Sequence, residues 1–176
     1  RAPRTDWALQ VLNAKRAMPP LWPHVESHYP RLWRVVCGYE LQPSAREDLM
    51  QEVLMALWEA LPRLQDPDKL LAFALRVSHN VGASHVRQAV ARPASHSFDE
   101  LGIEMAEETR DPRSEWLFSA LQQLPLNQRQ PLMLQLEGFD YQEIAAILGI
   151  SPDNVGVRVH RARARLKQLM QEGECA

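Results

Sequence analysis

The clearest chemistry in the sequence lies near its C-terminal end, in a run rich in arginine. Between Arg158 and Lys167 there are five Lys or Arg residues and no acid. Asn154, Arg158, Arg161 and Arg165 recur at steps of four and three, so a helix would carry them on one side. Amide and guanidinium groups hydrogen-bond base edges and phosphates, which favours DNA binding. For the arginines alone, a solvated basic face that suits the helix dipole remains an alternative.

The residues around this run have the order of a helix-turn-helix. Asp140 and Glu143 are spaced as a capping pair for a first helix, and Gly149 suits the turn. Ser151 is a good N-cap for the second helix, and Pro152 fits its first position. Two apolar stripes would be buried: Tyr141, Ile144, Ala145 and Leu148 in the first helix, and Val155, Val159, Ala162, Leu166 and Leu169 in the second. This frame makes DNA binding the preferred interpretation of the basic helix.

The predicted DNA-probing helix has a gap where it should meet base edges. Gly156 and Val157 lie there, and neither side chain can hydrogen-bond a base. Gly156 permits close backbone approach, and Val157 could touch a thymine methyl. We therefore expect direct readout to depend on Asn154, Arg158 and Arg161, with DNA shape carrying more of the specificity. The residues predicted to face this DNA are Asn154, Gly156, Val157, Arg158, His160, Arg161 and Arg165.

A second patterned block, PSAREDLMQEVLMALWEALP, predicts an amphipathic helix. Ser44 and Glu47 are spaced as a capping box, and Pro62 follows the predicted end. The predicted buried stripe is Leu49, Val53, Ala56, Leu57 and Ala60. The opposite face carries Asp48, Gln51, Glu52, Met55 and Glu59. A turn-rich loop around Pro67 should precede another helix from about Leu70 to Ala91.

Composition predicts an all-α protein of two small helical domains joined by a flexible acidic linker. The chain has 176 residues, 45% of them apolar, with 7 glycines and a net charge of −2. From Asp99 to Glu115 there are seven acids against two arginines. The predicted divisions are an N-terminal extension over 1–20, a first domain over 21–93, the linker over 94–113, a second domain over 114–170 and a tail over 171–176.

Other site chemistry is weakly supported by the sequence. His24 and His28 could share a metal across one helix turn, but no well-spaced third ligand follows, so we expect no metal and no cofactor. Cys37 and Cys175 form no framework, which favours a reduced, cytoplasmic protein. No apolar run has the length of a membrane span and no signal peptide is predicted; since the chain opens on Arg1, we expect a trimmed start.

Two blocks together resemble a known family. AREDLMQEVLMALWEALPRL with FALRVSHNVGASHVRQAVAR resembles the second conserved region of bacterial sigma factors. ALQQLPLNQRQPLMLQLEGFDYQEIAAILGISPDNVGVRVHRARARLKQ resembles their fourth region. A short linker with no other domain is similar to the extracytoplasmic-function group, so the resemblance implies a non-enzymatic subunit that directs RNA polymerase to promoters.

The resemblance implies a role for each patterned surface. The face made of Asp48, Gln51, Glu52, Met55 and Glu59 would dock on the coiled coil of the polymerase's largest subunit, and the fourth region would meet its flap. The acidic linker would thread the RNA channel, although a plain tether explains it equally well. The basic helix would read the minus-thirty-five element. Reading of the minus-ten element would fall to Leu64, Gln65, Asp66, Lys69, Arg76, His79, Asn80, His85 and Arg87.

The chain departs from the family pattern around the minus-ten reader. Gln65, Asp66 and Pro67 stand where an Arg-Gly pair is usual, and Ser84 replaces a common aspartate. Phe73 replaces a usual tryptophan and is assigned mainly to the core, as are Trp22, Trp33 and Trp58. Promoter preference therefore cannot be copied from the family, and we expect weak melting of DNA.

Two other classes of protein share a helix-turn-helix. A repressor or activator would bind duplex DNA tightly without polymerase. A recombinase or transposase would need a nucleophilic serine or a carboxylate cluster, and the N-terminal part offers neither convincingly. The family resemblance also leads us to expect an anti-sigma protein that covers the polymerase-binding faces.

Overall fold

The computed structural model describes residues 18–91 and 112–174. These two ranges, called the N-terminal half and the C-terminal half, contain eight α-helices and two short 3-10 turns, with no strand in either range. The all-α prediction is therefore confirmed. Most of the predicted N-terminal extension, most of the acidic linker and Cys175 lie outside the described residues.

The helices follow one another along the chain with short connections. In the N-terminal half they are α1 (Trp22–Ser27), α2 (Tyr29–Cys37), α3 (Pro43–Ala60) and α4 (Leu70–Ala91). In the C-terminal half they are α5 (Pro112–Gln122), α6 (Leu126–Leu136), α7 (Tyr141–Leu148) and α8 (Pro152–Glu174). Within the described ranges, no helix is long and apolar enough to cross a membrane.

The core of the N-terminal half forms where α2 and α3 pack on α4. Leu49, Val53 and Leu57 of the predicted α3 stripe are buried, whereas Ala56 and Ala60 are only half-buried. Met50 is buried in addition, which widens the stripe because α3 is covered by two neighbours. Phe73, Trp22 and Trp33 pack against this core as expected, and the Trp22 and Trp58 rings meet edge to face with centroids 4.9 Å apart.

The start of α3 differs from the sequence prediction. The helix begins at Pro43 with Gln42 as its N-cap, and no side chain caps it. The Ser44–Glu47 capping box is therefore wrong. Proline has a fixed φ that suits the first helical position, so the helix starts two residues earlier and Ser44 lies inside its first turn. The same preference fits α5, which begins at Pro112, inside the range predicted for the linker.

The loop before α4 is held by two 3-10 turns, Leu61–Arg63 and Pro67–Lys69. The Asp66 carboxylate accepts a hydrogen bond from the Asp68 N–H at 3.1 Å. This local bond fixes the entry into α4, which begins at Leu70 as predicted and is helical through Ala91, where this described range ends.

The C-terminal half contains the predicted helix-turn-helix in α7 and α8. Asp140 and Glu143 each accept the other's backbone N–H at 2.8 Å, which confirms the capping box. Gly149 ends α7 with φ of 68°, a left-handed conformation that favours glycine. Ser151 then caps α8, accepting the Asn154 N–H at 3.3 Å, and Pro152 is the first helical residue. Local capping thus sets the angle between the two helices.

The two halves also pack against each other. α4 contacts both α6 and α7, and the buried side chains of the two halves belong to one continuous apolar cluster. At the centre of this contact, Met133 of α6 lies against Gly38 at the end of α2 so closely that a Cβ at Gly38 would overlap it. The sequence predicts two domains but no contact between them.

Candidate nucleic-acid interface

The outer side of α8 forms the strongest candidate surface for duplex DNA. Val155, Val159 and Ala162 are buried against α6 and α7, so the opposite side must face solvent. Leu169 is also buried and Leu166 is half-buried. Of the predicted contact residues, Asn154, Val157, His160 and Arg161 are exposed, and Gly156, Arg158 and Arg165 are half-buried. The structure therefore places all seven on the helix that the sequence predicted.

Two of the predicted readers are coupled to each other. The Asn154 Oδ1 accepts a hydrogen bond from the Arg158 Nε at 3.1 Å. This bond engages the Arg158 Nε and leaves the two terminal nitrogens of the guanidinium as donors for a base or a phosphate. Farther along, Arg165 lies 3.6 Å from Glu172, an exposed ion pair that contributes little to stability.

Gly156 has a role in packing that the sequence analysis missed. A Cβ at Gly156 would lie 3.4 Å from the Tyr141 ring, so this ring covers the glycine. Tyr141 was expected in the buried face of α7, but 37% of it is exposed, because the ring lies over α8 at the edge of the core. Ile147 is buried in that face, and Leu148 is half-buried. The Tyr141 ring thus covers the part of the α8 surface where Gly156 has no side chain.

Beside α8 an open groove of about 470 Å³ runs along the turn between α5 and α6. Its lining residues are Gln123, Pro125, Gln128, Arg161, Ala164 and Arg165. Two arginines and two amides around an open depression match the donors that contact a DNA phosphate backbone.

The second candidate surface lies on α4 and the loop before it. Arg76, Asn80 and Arg87 are exposed, with Arg87 donating to the Ser84 Oγ at 3.3 Å. In the loop, Gln65 and Lys69 are exposed while Leu64 and Asp66 are half-buried. Lys69 pairs with Asp66 at 3.5 Å, so part of the cationic charge of this loop is already neutralised.

His79 does not join that surface. Its side chain has no exposed area, and its Nδ1 lies 2.8 Å from the Tyr39 hydroxyl. Burial lowers the pKa of His79 to about 3, so the ring is neutral at physiological pH. In this conformation His79 supports the core and cannot reach DNA, contrary to what the family resemblance implied.

His85 is only partly available to DNA, because it is half-buried and lies against a carboxylate. Its Nε2 lies 2.9 Å from the Glu40 carboxylate. Burial acts to raise the pKa of Glu40, but hydrogen bonds from the Gln42 N–H and from His85 outweigh it, and the pKa falls below its usual value. A carboxylate beside His85 repels a phosphate, so this position is weaker for DNA than the sequence suggested.

The predicted docking face of α3 is fully displayed. Asp48, Gln51, Glu52, Met55 and Glu59 are all exposed. Met55 is 66% exposed and lies among the carboxylates. An apolar side chain surrounded by acids suits a partner helix with a basic, partly apolar surface.

Histidines and cysteines form no metal site in the part of the chain that the structure covers. In residues 18–91 and 112–174, no group of three His, Cys, Asp or Glu side chains could hold an ion. His24 is exposed and His28 half-buried, while Cys37 is buried, and burial raises the pKa of its thiol.

Known proteins match both halves. The family model for region 2 of sigma-70 matches residues 24–92, and the model for region 4 matches residues 114–166. The ECF RNA polymerase sigma factor ShbA of Streptomyces griseus is 34% identical over 138 residues, covering 72% of each chain. This chain belongs to the extracytoplasmic-function family of RNA polymerase sigma factors. It is a promoter-directing subunit of RNA polymerase.

Further comparisons agree with this sigma factor family. The RNA polymerase sigma factor CarQ of Myxococcus xanthus is 28% identical over 160 residues, covering 84% of this chain and 87% of CarQ. Among solved structures, the sigma factor RpoE of Bartonella quintana, in complex with the anti-sigma factor NepR, matches with a TM-score of 0.64. That match has 24% identity and covers 85% of this chain and 97% of RpoE, which supports the shared fold.

Proposed function

We propose that this sigma factor docks on polymerase through the exposed face of α3 and reads promoter DNA with α4 and α8. We place its action in the cytoplasm. We also propose that it is a non-enzymatic subunit without a cofactor, because the surfaces described above suit binding to a partner protein and to DNA. The observation that carries the proposal is the orientation of α8. Its apolar stripe is buried and its arginines lie on the solvent-facing side.

The α8 surface supports recognition of the minus-thirty-five element. We assign base contacts to Arg158, held by Asn154, and to Arg161, while Val157, 48% exposed, can meet a thymine methyl. The groove beside Arg161 and Arg165 would hold the phosphate backbone and fix the register of the helix. Gly156 adds no side chain, so specificity there depends on DNA shape.

The α4 surface supports capture of unpaired minus-ten bases. Asn80 offers a hydrogen-bonding amide, and the exposed Arg76 and Arg87 can hold single-strand phosphates. The neutralised loop and the inward His79 leave few cations, which supports the expectation that this sigma factor melts DNA weakly.

The α3 face supports docking on polymerase core through its largest subunit's coiled coil. Four carboxylate or amide side chains steer assembly with a basic partner, and Met55 supplies apolar contact. The flap of the polymerase would meet the C-terminal half. An anti-sigma protein would cover these faces; solved relatives support this proposal, since RpoE was solved with NepR and CnrH with the cytosolic domain of CnrY.

Binding to purified polymerase core, followed by run-off transcription, tests the proposal. The wild-type chain should bind core and start transcription at promoters identified from transcripts after overexpression. Glu52→Lys should weaken core binding at least about 10-fold, because it reverses a charge that faces a basic partner. The matched control is Glu26→Lys, an exposed glutamate on α1, which should leave core binding unchanged.

The outcome that contradicts the proposal is also defined. If the wild-type chain binds no polymerase core and directs no initiation, the proposed mechanism is wrong. Tight binding to duplex promoters with no requirement for polymerase would instead favour a conventional repressor or activator.

A further inference from the structure

The outer surface of α8 has two chemically different flanks. On one flank, Arg161 and Arg165 line the open groove beside the turn between α5 and α6. On the other flank, which faces α7, Gly156 has no side chain and lies beneath the Tyr141 ring. Val157, 48% exposed, lies between the two flanks. One flank therefore offers cations to a DNA duplex, and the other offers a phenol.

The Tyr141 ring lies over α8 with its hydroxyl-bearing end closest to that helix. A Cβ at Gly156 would lie 3.4 Å from Cε2 of the ring and 3.8 Å from Cδ2. Because Cε2 adjoins the carbon that bears the hydroxyl, the far end of the ring lies nearer to the glycine than its stem does. The residue is 37% exposed, so the ring packs on α8 and still meets solvent. A phenol hydroxyl can both donate a hydrogen bond and accept one.

Local structure fixes the position of Tyr141. It is the first residue of α7 and directly follows the Asp140 N-cap, whose capping box with Glu143 has two hydrogen bonds of 2.8 Å. The left-handed Gly149 and the Ser151 cap then set the course of α8. The phenol is therefore positioned before DNA arrives, and it loses little conformational freedom on binding.

The charges near Tyr141 favour a base edge over a phosphate as its partner. The exposed carboxylates of Asp140 and Glu143 lie at the same end of α7 and repel phosphate oxygens. On this flank of α8 the next Lys or Arg after Gly156 is Arg163, about 10 Å farther along the helix axis. The N-terminal part of a recognition helix meets base edges in the major groove. An uncharged hydroxyl at this place suits a base.

We propose that Tyr141 is a specificity-determining residue, whose hydroxyl hydrogen-bonds a base edge at the minus-thirty-five base pair that faces Gly156. The side chain that α8 lacks at this position is thus supplied by α7. This role of Tyr141 rests on the proposed function, and it adds a side-chain contact where DNA shape alone was assigned. Gly156 is part of the same device, because a long side chain there would take the place of the ring.

Selection of promoter sequences by the holoenzyme tests this contact. Polymerase core carrying the wild-type chain is given a promoter library that is randomised across the minus-thirty-five element, and the bound sequences are counted. The wild type should show a preference of about 5-fold or more at one base pair that Tyr141→Phe abolishes. Preferences at the base pairs assigned to Arg158 and Arg161 should remain. Tyr141→Phe keeps the ring on Gly156, so the packing of α7 on α8 is retained.

A control and a second variant sharpen the test. Tyr29→Phe is the matched control, because Tyr29 of α2 is also an exposed tyrosine, and it should leave every base preference unchanged. Gly156→Gln places an amide where the ring lies, so it should introduce a preference for adenine at the same base pair that Tyr141→Phe affects. Circular dichroism checks that each variant keeps its helices.

The outcomes separate this contact from the proposed function. If Tyr141→Phe keeps every base preference, the contact is wrong. A loss of affinity that is equal for all sequences also overturns it, because that result indicates a phosphate partner. An effect of Gly156→Gln at a different base pair overturns it as well. In each of these cases, wild-type initiation at the selected promoters leaves the proposed function standing. A wild-type holoenzyme with no preference in the minus-thirty-five element overturns both the reading by α8 and the Tyr141 contact.

Discussion

The two helices that we propose as DNA contacts, α4 and α8, differ in how their exposed surfaces are formed in the free chain. α8 buries one stripe within its own half and exposes the rest, so its reading surface is finished by local packing. α4 is covered by α2 and α3 on one side and touches α6 and α7 of the other half as well. One of its predicted readers, His79, is enclosed.

This difference shows how one fold can supply two kinds of DNA surface. A surface set by caps and a turn, as in α7 and α8, is formed once its short segment folds. A surface on a helix that also serves as a platform for another half depends on where that half lies. The outer surface of α8 is therefore complete in the free chain, whereas the exposure of α4 depends on the position of the C-terminal half.

The largest expected effect is a loss of folding stability in acid that arises from α4 and not from α8. His79 of α4 has a pKa of about 3 in the folded chain against 6.5 when unfolded. Between these values the unfolded chain binds more protons, so stability is fully present above pH 6.5 and is lost as the pH falls towards 3. Roughly 5 kcal/mol of the free energy of unfolding depends on this group. Urea denaturation at several pH values measures the slope.

His79→Gln should flatten that dependence while it keeps a polar group near Tyr39. The matched control is His160→Gln on the exposed side of α8, which should keep the wild-type slope. A wild-type stability that stays constant between pH 6.5 and 4 would mean that His79 is hydrated rather than enclosed.

The next effect compares one glycine on each helix. Gly82 of α4 lies under Tyr39, whose ring a Cβ would overlap, so Gly82→Ala should cost about 1–3 kcal/mol. Gly156 of α8 has the Tyr141 ring at 3.4 Å from a Cβ, an ordinary contact, so Gly156→Ala should gain up to about 1 kcal/mol from helix propensity. Opposite shifts of the urea midpoint are expected. Shifts of the same sign would show that the two helices are equally crowded.

The third prediction concerns promoter affinity and the residues of α8 that determine it. Arg161→Ala should weaken promoter binding by the holoenzyme by about 2 kcal/mol, roughly 30-fold, because it removes a contact to a base or phosphate. Val157→Ala should change binding by less than about 3-fold, since only a methyl contact is lost. Footprint titrations measure both. The reverse order would indicate that α8 enters the groove in another orientation.

The smallest effect concerns helix starts in the two halves. Asp140→Ala removes a cap that accepts the Glu143 N–H at 2.8 Å and should cost about 1 kcal/mol. Ser44→Ala should change stability by less than about 0.5 kcal/mol, because Ser44 caps nothing in α3. Thermal unfolding of the two variants provides the comparison, and equal losses would show that α3 is capped in solution after all.

Sequence reasoning succeeded where the determinants are local. The capping pair of Asp140 and Glu143, the left-handed Gly149 and the bounds of α4 all follow from residues a few positions apart. It failed at α3 because two start signals competed, and the proline at position 43 prevailed over Ser44. The exposure of the polar face of α3 also follows from spacing within one helix, whereas the polymerase role predicted for it came from the family resemblance.

Long-range contacts were beyond the sequence because no spacing rule reports them. Arg34 and Glu137 are 103 positions apart, and each reads as an ordinary surface charge. The inward side of His79 depends on Tyr39, 40 positions away, so periodicity within α4 cannot distinguish a DNA contact from a core residue there. The cover of Gly156 by Tyr141 likewise requires the angle between α7 and α8.

The placement of Arg34 and Glu137 on a single polypeptide has a quantitative consequence for any competitor. Two surfaces tethered by a short chain meet at an effective concentration in the millimolar range, whatever the dilution of the protein. Even an interface too weak to hold separate molecules together would thus stay closed at cellular copy number. A molecule that binds either surface must outcompete a contact whose strength is set by this local concentration and by the intrinsic affinity of the two surfaces. Neither quantity changes with the amount of protein made.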